Sequence, residues 1–184
     1  MARRGLICLT AAALLGTVVA TTAAAEPDCH ANDRYRVAVQ PHQSTPGERF
    51  AVVPVNAATQ GLPCRFEDDG NAVIIGSDDD PLWFAGLSGD YLVATRSTGP
   101  EGDLVVFQLE SGEKILDRPA GDFSLEDDAL SFWQRQRPAV TGECPALAED
   151  EKAGLSIVIE TQIRFDFVTL TPQETGEIRC AAVQ

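Results

Sequence analysis

Beyond its first residues this chain has no apolar stripe with a 3.6-residue period. Short runs of β-branched and aromatic residues recur instead, separated by breaks rich in Gly, Pro and Asp. Such a pattern offers no helix face to bury, and all-β is the class it predicts. The clearest run spans residues 163–170, where Ile163, Phe165 and Phe167 alternate with Arg164, Asp166 and Val168. Alternation of this kind places one face of a strand inward and the other outward. Further strands are expected at residues 35–39, 50–55, 72–75, 91–95, 103–109, 114–116, 130–134, 155–159 and 178–181. About ten short antiparallel strands with turns between them make a sandwich, a barrel or a propeller-like meander.

Turn chemistry supports part of this order. Residues 97–102 read as a loop, and Ser111-Gly112 lies between two apolar runs as a hairpin signal. Residues 91–116 are therefore expected to form a three-stranded meander. Its rhythm of a Gly-Asp opening, two apolar strands, Leu109-Glu110-Ser111-Gly112 and a third strand resembles one blade of a β-propeller. A complete propeller takes at least four blades of roughly 40 residues. The rhythm does not recur at that period, so the meander is read as local. Residues 146–154 carry Glu149, Asp150, Glu151 and Lys152 and suit a single helical turn ended by Gly154. The stretch up to Asp33 has no apolar pattern and is expected to be ordered mainly through Cys29.

The N-terminus reads as an address. Arg3 and Arg4 form a positive region, residues 6–19 a short apolar run, and Ala23-Ala24-Ala25 a small-residue cleavage pattern before Glu26. Residues 1–25 are therefore expected to be a cleaved secretory signal, and Cys8 leaves with it. Cys8 follows the arginines too closely to be a lipid-attachment cysteine. Residues 26–184 then form one domain, and a domain near 150 residues hides roughly 70% of its unfolded surface. No later segment approaches the 20 or so apolar residues of a membrane span, so the expected location is periplasmic or secreted, with no membrane insertion after cleavage.

Four cysteines remain: Cys29, Cys64, Cys144 and Cys180. An even count in an exported chain reads as two disulfides, for which three connectivities are open. The spacing favours Cys29 with Cys64 and Cys144 with Cys180. Each such bridge closes a loop of about 36 residues, worth roughly 3 to 4 kcal/mol in the chain-entropy model. There is no CxxC pair for zinc or for redox catalysis.

The charge excludes whole classes of partner. Removing Arg3 and Arg4 from the 14 basic residues leaves 12 against 28 acids, a net charge of −16 on the mature chain. Nucleic-acid binding and adhesion to an anionic membrane both need clustered cations, so neither is expected.

Motifs for chemistry are sparse. His30 and His42 both lie in the polar N-terminal region, where they suit imidazole ligands for a transition metal or simple exposure. Gly86-Leu87-Ser88-Gly89 misses the nucleophile elbow by one position and precedes a strand rather than a helix. Ser111-Gly112-Glu113-Lys114 matches Ser-x-x-Lys, but the motif needs a helix start and here sits on a predicted hairpin. Three acid runs, Glu67-Asp68-Asp69, Asp78-Asp79-Asp80 and Glu126-Asp127-Asp128, carry the ligand type that calcium prefers. Asp78, Asp79 and Asp80 are the candidate metal ligands, although no run has the spaced Asp-x-Asp/Asn-x-Asp/Asn-Gly pattern. No other cofactor is expected. Trp83 and Trp133 each stand beside a Phe, and on a strand one of two neighbours faces outward. These two tryptophans are the candidate anchors for a partner or a sugar ring.

The leading expectation is a non-enzymatic binding module, an inhibitor or immunity-type partner of a basic envelope enzyme, steered by the negative charge. Two others stand beside it. A carboxylate-dependent enzyme acting on polysaccharide or cell wall predicts a cleft with two carboxyls roughly 5 to 10 Å apart. A structural or assembly component of the envelope predicts an exposed apolar patch or a free sheet edge.

Overall fold

The computed structural model describes residues 28–66, 70–97 and 102–184. The expected signal segment, the acid run at 67–69 and most of the loop at 97–102 lie outside the described residues. The described residues are all-β apart from one short α-helix and a 3-10 turn. A first sheet contains β1 (Asp28–Ala31), β2 (Tyr35–Pro41), β3 (Glu48–Pro54) and β4 (Val73–Ile75), side by side in chain order. A second contains β5 (Leu82–Ser88), β6 (Tyr91–Arg96), β7 (Asp103–Gln108), β8 (Lys114–Leu125), β9 (Ala129–Pro138), β10 (Ser156–Asp166) and β11 (Thr171–Val183), again in chain order. All pairings are antiparallel, so the whole path is a meander and the expected one at residues 91–116 is part of it.

The second sheet folds over itself at β8. The first half of this strand pairs with β7, Leu116 opposite Val106, and the second half pairs with β9, Phe123 opposite Phe132. Pro119, which has no N–H for the ladder, and a register irregularity between Ala120 and Phe123 mark the corner. Folding at this corner creates three layers with two cores. Val37, Val39, Phe50, Val52 and Ile75 of the first sheet pack on Leu92, Ala94, Val105 and Phe107. From the opposite face of the same two strands, Val93, Leu104 and Val106 pack on Leu130, Phe132, Ile163 and Phe165. Strands β6 and β7 thus have both faces buried, which is why they read as continuous apolar runs rather than alternating ones. Each such side chain contributes about 1.5 to 3 kcal/mol of burial.

Gly47 sits where the two sheets meet. Its φ of +113° suits glycine, and a Cβ there would lie 2.7 Å from Pro81 Cα. Beside it, Glu48 Oε2 accepts a hydrogen bond from the Phe84 N–H at 2.8 Å and ties the edge of β5 to the first sheet.

Both disulfides have the favoured pairing. Cys29–Cys64, with Cα atoms 6.3 Å apart, ties β1 to the segment after β3, and Cys144–Cys180, at 6.0 Å, ties the β9–β10 connection to β11. That connection holds a short 3-10 turn and α1 (Ala148–Lys152), and Gly154 with φ +92° follows it, as the sequence suggests. Among the described residues no helix is long and apolar enough to cross a membrane. Several boundaries differ from expectation. β1 and β5 are additional strands, β8 and β11 are far longer, and the two strands expected at 155–159 and 163–170 are largely one, β10.

Candidate functional site

The three consecutive acids at 78–80 do not converge. Asp80 pairs with Arg96 at 2.6 Å, while the Asp78 carbonyl accepts from Thr45 Oγ1 at 3.0 Å. Arg96 also reaches Asp117 at 2.7 Å and Asp103 at 3.4 Å, and Lys114 joins Asp117 at 2.6 Å. These hydrogen-bonded carboxylates raise the Arg96 pKa. Burial pushes the Asp117 carboxyl up, but the hydrogen bonds from Arg96 and Lys114 outweigh it and hold it below its ordinary value. The network ties the end of β6 to the start of β7, to β8 and to the segment before β5. Among the described residues no group of three or more His, Cys, Asp or Glu is placed to hold a metal.

Trp83 is 39% exposed on β5, and its indole N–H donates to the Ser97 carbonyl at 3.0 Å. Trp133 is half-buried on β9 beneath the Arg179 guanidinium, 4.3 Å from the ring centre. Arg179 Nη2 lies 2.6 Å from Asp122 and 2.7 Å from Glu160, a carboxylate only 2% exposed. A glycosidase pair needs one carboxyl free to give a proton to the leaving group. Here Asp122 and Glu160 accept from the same guanidinium, so the arrangement suits a fixed polar platform better than acid catalysis.

The histidines are held separately. His30 stacks on Phe84 at 3.6 Å, and His42 Nδ1 sits 3.1 Å from the Pro46 carbonyl. Ser88 donates to the Asp127 carbonyl at 2.7 Å. Ser111 lies in the β7–β8 hairpin, bonded to Gln108 and to the Glu113 N–H, while Lys114 turns to Asp117. Among the described residues neither serine is bonded to a basic side chain.

One end of the molecule gathers three turns. The Ser88–Asp127 bond joins the β5–β6 turn to the β8–β9 turn, and the Phe167 N–H donates to the Asp128 carbonyl at 3.0 Å. Tyr91 stacks on Phe167 at 4.7 Å, and its hydroxyl donates to the Phe167 carbonyl. From this base the β10–β11 turn projects Val168, 82% exposed, and Leu170, 44% exposed. Asp166 fixes the turn by accepting from the N–H groups of Val168 and Thr169 at 2.9 and 2.7 Å. Those bonds to the Thr169 backbone and hydroxyl hold its carboxyl below the usual range. Around the tip stand Asp90, Glu126, Asp127, Asp128 and Asp166, against the two guanidiniums Arg34 and Arg164. The acid run at 126–128 was visible in the sequence. The apolar tip was not, because Val168 and Leu170 there read as the end of a strand.

A groove of about 440 Å³ lies on the far side of the first sheet, between strands β2 and β3 and the segment 54–65. Ala38 and Ala51 belong to its lining, Leu62 and Pro63 stand on the covering segment, and Arg36 and Arg65 are the charged residues among the described lining. No protein-family model matches the chain, and no curated protein or solved structure matches it either.

Proposed function

We propose that this protein is an exported, non-enzymatic binding module that docks a basic protein through its acidic end, as an inhibitor or immunity-type partner of a basic envelope enzyme. The observation that carries this reading is the β10–β11 tip, two exposed apolar side chains on a hydrogen-bonded turn at an end of the molecule where five carboxylates outnumber two guanidiniums. An apolar anchor with a charged rim is the usual anatomy of a protein interface. The overall charge of −14 adds long-range attraction for a cationic partner. Two disulfides are compatible with an oxidising compartment, where such bonds persist.

Cell-wall-degrading enzymes such as lysozymes are often basic and are the first partners to try. Calorimetric titration with a lysozyme at low salt should give binding that weakens as salt rises. Val168→Asp with Leu170→Asp should weaken it about tenfold or more. Absence of binding at low salt sinks the lysozyme version. A periplasmic co-purification that recovers no basic protein at low salt would overturn the binder itself.

A further inference from the structure

We infer that the groove beneath the segment 54–65 is a binding site for a small carboxylate with an apolar body. The floor comes from strand register. Residues facing the first core are Val37, Val39, Phe50 and Val52, so Arg36, Ala38, Ala51 and Val53 face away from it. Ala38 and Ala51 are nevertheless 2% and 1% exposed, because the chain after β3 returns over them. Two ties hold it there. Cys64 is bonded to Cys29, and the Arg36 guanidinium donates to the carbonyls of Thr59 and Leu62. The cover has its own turn, in which Thr59 Oγ1 donates to the Pro54 carbonyl at 2.7 Å. Ala38 and Ala51 carry only methyl groups, and between this side of the sheet and the cover lies a groove of about 440 Å³, within the usual size of a small-molecule site.

The charge of the lining identifies the ligand. The chain has twice as many acids as bases, yet none of the described residues lining this groove is acidic. Arg36 is committed to the two carbonyls. Arg65 is exposed at the rim and makes no ion pair among the described residues. A guanidinium with a free fork takes a carboxylate bidentately, while Val53, Leu62, Pro63 and the alanines meet the apolar body. The site lies apart from the turns proposed to dock a basic protein and does not depend on that reading.

The test is titration of the disulfide-bonded protein with hexanoate, octanoate and decanoate below their micellar concentrations, followed by amide NMR. Decanoate is expected to bind once, to shift resonances of β2, β3 and residues 54–65, and to gain about fourfold in affinity per methylene while the chain fits. Decanol is expected to bind at least tenfold more weakly, and Arg65→Glu to remove that difference. The cover is held by Arg36 and the disulfide, and Arg65 makes no ion pair among the described residues, so this variant tests charge without removing those ties. Ala58→Trp, on the exposed cover, should block both ligands. Unchanged decanoate affinity in Arg65→Glu, equal affinity for decanol, or no shifts in these residues would overturn the assignment. Val168→Asp with Leu170→Asp should leave decanoate binding intact, so failure of either proposal is distinguishable from failure of the other.

Discussion

Leu170 holds a left-handed backbone, φ 54°, the one non-glycine residue among those described to do so. For an L side chain this conformation costs about 1 to 2 kcal/mol, and the Asp166 hydrogen bonds and the flanking strands hold it in place. Leu170→Gly relieves the strain but loosens the unfolded chain, so a net gain of up to about 1 kcal/mol is expected in chemical denaturation. The same change removes half of the apolar tip and should weaken binding of a basic partner. Opposite signs in the two measurements would separate strain kept for binding from strain that is incidental. A second residue-scale consequence concerns acid. Arg137 donates to both carboxylate oxygens of Glu143, and with the Val140 N–H it lowers the Glu143 pKa from 4.5 to about 2. A folded pKa below the unfolded one adds stability that is complete above the unfolded value and lost as pH falls through the folded one. The contribution of this pair is therefore present above about pH 4.5 and disappears toward pH 2. In Arg137→Gln a carboxyl-carbon NMR titration should show the Glu143 midpoint moving back up toward its ordinary value.

At the scale of elements, the Cys144–Cys180 bond fastens the outermost strand. β11 pairs only with β10 and leaves its other edge without a strand among the described residues. Pro172, Glu174 and Glu177 on that strand discourage further pairing. Replacing both cysteines by serine should cost about 3 to 4 kcal/mol and should speed amide exchange in β11 ahead of β6 and β7. Equal protection in all three strands would show that the bridge does not limit local opening. The long strands were also the hardest to read from sequence. β8 looked like three residues because Pro119 and Gly121 interrupt it, yet these are the residues at its corner. β10 looked like two strands because Glu160, Thr161 and Gln162 break its apolar run, and the break closes only when Arg179 on β11 reaches Glu160. β1 carries almost no apolar signal and exists through its ladder with β2 and its disulfide. The class, the cysteine pairing and the inward face of Ile163, Phe165 and Phe167 were legible because they depend on local pattern and spacing. The groove was not, because it forms between Arg36 or Ala38 and residues some two dozen positions later.

Across the whole molecule, the two cores share strands β6 and β7 as a common wall, and this makes their stabilities interdependent. Leu92 is fully buried in the first core and Leu104 almost fully in the second, from opposite faces of neighbouring strands. Truncating either to alanine should cost about 2 to 5 kcal/mol. The larger consequence is where the loss is felt. If the wall transmits it, Leu92→Ala destabilises the third layer although that layer contacts only the other core. The two tryptophans suit this measurement, since Trp83 stands on β5 in the middle layer and Trp133 on β9 in the third. Trp83→Phe and Trp133→Phe variants each leave one fluorescent reporter. The two denaturation curves should have one midpoint, and Leu92→Ala should move both equally, as for a single cooperative transition. Separation of the midpoints, with only the Trp83 signal shifted, would mean that the fold at β8 divides the sheet into units that melt apart. Coincidence would make the fold at β8 a bend within one cooperative structure, with the acidic turns at one end and the groove on the first sheet held by the same transition.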